Sequence, residues 1–292
     1  MNFSTGTARR SAARPAGATA RTGIWCAPLL AVALIAALPA HAARIDDRYF
    51  LSVSAYKPAI KTTLQASIPG LPIDGTAINL EEDLGMADSE WLPAIEIGMR
   101  LGKRWRIAGE YYRLSRSANF TLQRNIIWDD TTYDLGVDVA SSFDTTVYRA
   151  AIGYSLVKKP QWELGVDLGA HITDFAASIS GVGRVNAIVQ PVSQQRQDQL
   201  VPLPTIGAYV AWDIDKTFSL QGRVDWLSLD VGDYSGGLTY VWATANARLL
   251  PHVGVGVGWR YVNYHIDIAR PDWSGFVRYK YSGPAFFLNL GF

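Results

Sequence analysis

The feature that most constrains this chain is an apolar/polar alternation with a period of two, repeated in segment after segment beyond residue 43. Trp162, Leu164, Val166, Leu168 and Ala170 alternate with Glu163, Gly165, Asp167, Gly169 and His171. Val253, Val255, Val257, Trp259 and Tyr261 likewise alternate with Gly254, Gly256, Gly258 and Arg260. The last residues repeat the pattern, with Phe286, Leu288, Leu290 and Phe292 on one face and Phe287, Asn289 and Gly291 on the other. Side chains of a strand point alternately to its two faces, so each segment reads as a strand with one greasy side. No apolar run beyond residue 43 reaches the ~20 residues that a membrane-crossing helix needs.

Ten strands are expected: near 49–56, 90–101, 105–112, 146–156, 162–171, 202–212, 218–226, 238–249, 253–261 and 274–292. The last includes a bulge near Gly283-Pro284, since a bulge tolerates a proline that cannot donate. Connections alternate between short (102–104, 158–161, 213–216, 250–252) and long (61–88, 117–141, 174–200), with Trp105, Trp162, Trp212, Phe218 and Phe292 beside the short ones. Barrels in outer membranes have short turns on one side, long loops on the other and aromatic girdles. An even strand count leaves both ends on one side. The expected fold is all-β: a transmembrane antiparallel up-and-down β-barrel of about ten strands with long outer loops, one domain over 43–292. A soluble periplasmic β protein is the competing expectation.

Residues 1–23 are basic and acid-free, with Arg9, Arg10, Arg14 and Arg21. The apolar run Ile24–Leu38 and Pro39-Ala40-His41-Ala42 follow. This is the build of a secretory signal peptide, 1–42, cut after Ala42. Cys26, the one cysteine, falls inside it. The mature chain therefore has no thiol for disulfides, metal binding or catalysis. Loss of four arginines turns a formal charge of +1 slightly acidic, which does not suit a nucleic-acid binder.

Charges on the non-greasy faces would point into the barrel, because lipid does not take them cheaply. They are Arg100, Arg106, Arg149, Arg223 and Arg260, against Glu96, Glu110, Glu163, Asp167 and Asp225. The signs balance. A charge-selective pore is expected to show an excess of one sign, so these residues read as a hydrogen-bonded structural network ahead of a pore lining. Two loose pairs, His171 with Asp174 and His265 with Asp267, would sit near outer strand ends. They lack any nucleophile or zinc-protease motif beside them. Glu81-Glu82-Asp83 offers carboxylates to a divalent cation, and Trp128, Asp129 and Asp130 offer a recognition loop. Both read first as solvated loop. No cofactor is expected.

Gly75–Gly85, Val139–Asp144 and Tyr279–Pro284 resemble segments of a group of uncharacterised proteobacterial outer-membrane β-barrel proteins of porin-like type. The terminal set Phe286, Leu288, Leu290 and Phe292 resembles the signal by which such barrels are recognised for assembly. The resemblance implies the cell outer membrane of a Gram-negative bacterium, with lipid, lipopolysaccharide and the barrel-assembly machinery as partners. A small solute is a further possible partner. The balanced lumen charges and the lack of a catalytic motif point to a non-enzymatic envelope protein, either a narrow passive channel or a closed barrel displaying surface loops. The alternative is a surface hydrolase acting on lipid A or peptides.

Overall fold

The computed structural model describes residues 47–292 except 69–74, 186–187 and 272–273. The expected signal segment, 1–42, lies outside the described residues. In chain order the elements are β1 (Tyr49–Tyr56), β2 (Ala59–Ser67), β3 (Ile78–Asn79), α1 (Leu80–Asp83), β4 (Leu92–Leu101), β5 (Trp105–Thr121), β6 (Ile126–Trp128) and β7 (Thr131–Tyr133). Then come β8 (Asp138–Lys158), β9 (Trp162–Val185), β10 (Ile188–Asp213), β11 (Phe218–Val231), β12 (Tyr234–Leu250), β13 (Val253–Ala269) and β14 (Ser274–Gly291).

Every pairing between these strands is antiparallel, and β14 closes the sheet onto β1. β1 and β2 lie along β14 in one register, Tyr56 opposite Ala285 and Ala59 opposite Ser282. They make one wall strand interrupted at Lys57-Pro58, so the ring has ten strands. The bulge expected at Gly283-Pro284 is not there: β14 runs past it in unbroken register with β13. The irregularity sits on the opposite side. Pro284 turns its missing N–H toward the Lys57-Pro58 break, where its carbonyl accepts from the Lys57 N–H at 3.0 Å.

The long outer excursions are largely strand. Residues 59–67 continue the first wall strand, and β9 and β10 project as a hairpin of 24- and 26-residue strands through the stretch read as 174–200. Residues 117–141 hold the end of β5, the small β6–β7 hairpin and the start of β8. The seam between β10 and β11 ends at Ile206 opposite Trp226, although β10 stays paired to β9 far beyond. Asp213 donates its N–H toward the β9 side. By alternation Pro202 and Pro204 turn their donor-less nitrogens toward β11, which removes two rungs of that ladder.

The alternation inverts its meaning along each strand. In β13 the odd residues Val257 and Trp259 are about half exposed on the outer wall, over glycines. Gly256 leaves room for the Phe287 ring and Gly258 for Trp242, each of which a Cβ would strike. Further along, the even residues Val262, Tyr264, Ile266 and Ile268 are buried and Asn263, His265 and Asp267 face out. Below the inversion the greasy face meets lipid, and above it the greasy face packs inward while water meets the polar one. The result is an apolar belt near the short turns and an apolar interior in the outer half. Trp162 and Trp212 pair across β9 and β10 at the short-turn edge of the belt.

The lipid face gives one expectation. Leu288 is 44% exposed in the belt, so Leu288→Arg costs about 2–4 kcal/mol at mid-bilayer depth. Urea unfolding from lipid vesicles measures it; a loss under 1 kcal/mol contradicts the placement.

Candidate functional site

The barrel interior is the candidate site, and it is built in three layers. All ten charged residues expected inside do face the interior. β4 and β5 supply Glu96, Arg100, Arg106 and Glu110; β8 and β9 supply Arg149, Glu163 and Asp167; β11 and β13 supply Arg223, Asp225 and Arg260.

At mid-height the pairs join across the lumen. Arg149 donates through Nε and Nη2 to Asp225 at 2.7 and 3.1 Å and lies 3.5 Å from Asp167. Arg223 reaches Glu96 at 3.1 Å and Glu110 at 3.3 Å, donates to the Tyr240 hydroxyl at 2.8 Å, and sits 3.7 Å from Asp225. Glu110 also accepts from Arg260. The planar arginine fork suits such shared, two-pronged contacts. Arg260 rests on aromatic faces, its guanidinium 4.8–5.6 Å from the rings of Tyr56, Tyr112, Tyr240 and Trp242. These faces account for a buried cation whose Nε and Nη1 find no hydrogen-bond acceptor.

Arg100 pairs lower down with Glu163 at 2.7 Å, and Glu163 also accepts from Ser155 and Tyr209. Arg106 has no carboxylate partner among the described residues; it lies over the Tyr209 ring at 4.6 Å. Around these low-lying groups is a cavity of about 160 Å³ at the short-turn end.

The outer layer is apolar and has no counterpart among the expected site residues. Phe143, Phe175 and Tyr279 pack ring to ring, and Tyr281 meets Tyr56 and Tyr112. Leu80 of α1 is buried in the same core, as are Leu84, Met86 and Trp128. Tyr112 and Tyr281 share a hydrogen bond between their hydroxyls. The signal was present in the sequence: Tyr279, Tyr281, Tyr264 and Phe175 occupy the inward parity of their strands.

The acidic loop clasps this layer. Glu81 accepts from Arg116 and from the Thr62 N–H at 2.8 Å. Asp83 accepts from the Asn79 N–H at 2.8 Å and from Arg124 at 2.6 and 2.7 Å. Burial works to raise the Asp83 carboxyl's pKa, but the hydrogen bonds from Arg124 and Asn79 and the Arg124 charge outweigh it and hold it below its ordinary value. These carboxylates serve the fold. Among the described residues no three His, Cys, Asp or Glu side chains are placed to hold a metal ion. Trp128 is also not a recognition residue: it is 3% exposed in the core, and Asp129 takes the positive φ (58°) of the turn between β6 and β7.

The histidine pairs do not form. His171 is not at an outer strand end, because β9 runs on to Val185. It lies buried in the lumen with Nε2 3.3 Å from Asp225, while Asp174 faces the outside. His265 is exposed on the outer wall, and Asp267 lies 3.6 Å from Arg278. The two histidines thus lie on opposite sides of the wall and share no rim cleft.

No family model matches the chain, and no curated protein matches it in sequence. Among solved structures it is similar to the outer membrane protease OmpT from Escherichia coli, with a TM-score of 0.52 at 11% identity over 83% of this chain and 97% of that one. It also matches the attachment invasion locus protein Ail of Yersinia pestis, with a TM-score of 0.31 at 10% identity over 82% of this chain and 99% of that one. The OmpT likeness extends to the fold, an outer-membrane β-barrel.

Two expectations follow from the geometry. Arg149→Met costs about 3–5 kcal/mol, because it takes from the buried Asp225 its two-pronged partner and leaves it only His171 and the more distant Arg223. In an Asp225→Asn background the same change costs far less. A double-mutant cycle by urea unfolding measures the coupling, and additive losses contradict it. At the clasp, Asp83 titrates below its unfolded value, so its stabilisation is complete above 3.8 and fades as pH falls through the lower folded pKa. Amide exchange at Asn79, followed by NMR, accelerates only in that acid range, and Arg124→Gln moves the onset to higher pH. An onset that does not move contradicts the clasp.

Proposed function

We propose that this chain is a non-enzymatic integral protein of the Gram-negative outer membrane whose closed barrel displays its long hairpins at the cell surface. In this reading residues 1–42 direct export. The barrel-assembly machinery reads the terminal strand through Phe286, Leu288, Leu290 and Phe292, and the mature wall contacts lipid and lipopolysaccharide. The short turns and both ends of the mature chain lie in the periplasm, as is usual for such barrels.

The observation that carries the closed form is the filled interior. A mid-height layer of paired arginines and carboxylates lies beneath an apolar core containing Leu80, Phe143, Phe175 and Tyr279, all of them buried. Interiors of small barrels are filled by side chains in this way, whereas wide ones leave an aqueous channel. On the lipid face Phe286 is 55% exposed; Leu290 and Phe292 are half-buried, and the Phe292 ring stacks on His252.

The decisive measurement is planar-bilayer recording of the purified mature barrel, whose expected outcome is the absence of discrete conductance steps. Reproducible steps from correctly folded protein would replace the closed form with a narrow channel. Carbonate washing of membranes tests the location: the chain is expected to stay with the membrane, and its release would favour a soluble periplasmic protein.

A further inference from the structure

The cavity at the periplasmic end is lined by charged groups that do not all have the same standing. They are Arg100, Arg106, Arg223 and Arg248 with Asp47, Glu96, Glu163 and Asp213, so the lining is neutral as a whole. Glu163 is taken by Arg100 and Glu96 by Arg223. Asp47, Asp213 and Arg248, nearer the chain turns, have interactions of their own. Arg106 alone among the cavity's arginines has neither a hydrogen bond nor an ion pair to a described residue. Its guanidinium carbon lies 4.6 Å from the Tyr209 ring centre and 5.9 Å from that of Phe50. A ring against the guanidinium face leaves the in-plane N–H edge available, and that edge matches a carboxylate with two parallel bonds.

We propose that this cavity binds a small organic monocarboxylate with a flat apolar body, its carboxylate held by Arg106. A guanidinium fork without a direct partner has room for one carboxylate. A doubly charged anion such as phosphate would bring its second charge beside Glu96 and Glu163. Phe50, Tyr209, Trp242 and Phe287 contribute aromatic walls for the body, while Gln221 and Asn289 provide polar groups alongside. Pockets that combine apolar walls with a few placed polar groups are the usual form of small-molecule sites. The volume, about 160 Å³, suits a ligand of one ring. Access from the periplasm rests on the closed-barrel reading; the binding chemistry does not.

The test uses the full mature barrel in zwitterionic detergent, labelled with ¹⁵N-arginine, and benzoate as the probe. Benzoate is expected to move one arginine Nε resonance saturably, and that resonance is expected to be missing from Arg106→Gln. In Arg106→Gln the benzoate Kd rises at least tenfold. Arg106→Lys, which keeps the charge but loses the fork, is the second variant should the glutamine form not fold, and a severalfold rise is expected there. Acetate should bind more weakly than benzoate, and inorganic phosphate should give no saturable shift. The proposal is overturned if benzoate does not saturate on the wild type, if the variants bind it as tightly, or if phosphate binds better. Conductance steps in a bilayer would sink the closed-barrel reading while leaving this binding result unaffected, so the two failures are separable.

Discussion

Backbone pairing across the seam between β14 and the β1–β2 wall strand is the interaction on which the rest of the molecule depends. In hydrocarbon an unpaired N–H or C=O costs several kcal/mol, so a sheet crosses a bilayer only when it has no open edge there. Seven residue pairs from Phe50–Gly291 to Tyr56–Ala285 close that edge at the level of the belt, and the N–H groups of Arg48 and Tyr49 reach the Phe292 carbonyl at its lower end. The one interruption in this seam, at Lys57-Pro58, falls where Pro284 has no donor to lose.

Closure creates an interior that then has to be filled, and the chain fills it by two different means. Near the belt the inward positions carry arginines and carboxylates. Each would be expensive to bury alone, and mutual pairing offsets much of that cost. Farther out the inward positions carry rings and branched aliphatics, which stabilise by removing apolar area from water. Tyr240 joins the two layers: it lies under both Arg223 and Arg260, and its hydroxyl accepts from Arg223. A core with polar and apolar halves sharing aromatic residues leaves little room for water in the outer half.

Much of this was legible from alternation alone. Parity within strands such as 162–171 and 253–261 separates the lipid face from the interior, because a charge facing lipid is costly. The same parity picks out the ten charges from Glu96 to Arg260 that form the lower two layers. What parity cannot supply is register, so the partners Arg149–Asp225 and Arg260–Glu110, which meet across the lumen from strands far apart in the chain, were out of reach. The other shortfall has a single cause. Where a strand leaves the lipid its greasy face switches sides, so a reader following one phase sees Thr173 and Asp174 as the beginning of a loop. The strand in fact continues to Val185. That single phase puts His171 at a rim, although the residue lies buried in mid-barrel. The same phase also hides the apolar core, which the run of inward tyrosines and phenylalanines could have revealed.

Pro202 and Pro204 have a consequence for how copies of this chain coexist in a crowded membrane. Among the described residues β10 pairs with β11 no farther than Ile206, while its pairing with β9 continues, so the stretch beyond shows an open side there. Bare edges recruit strands from other molecules, and proteins blunt them with residues that cannot take part in a ladder. Two prolines at alternate positions, both turned toward the open side, remove successive donors from the template. Next to the barrel, the open side of the hairpin therefore lacks two donors that a neighbouring strand would need.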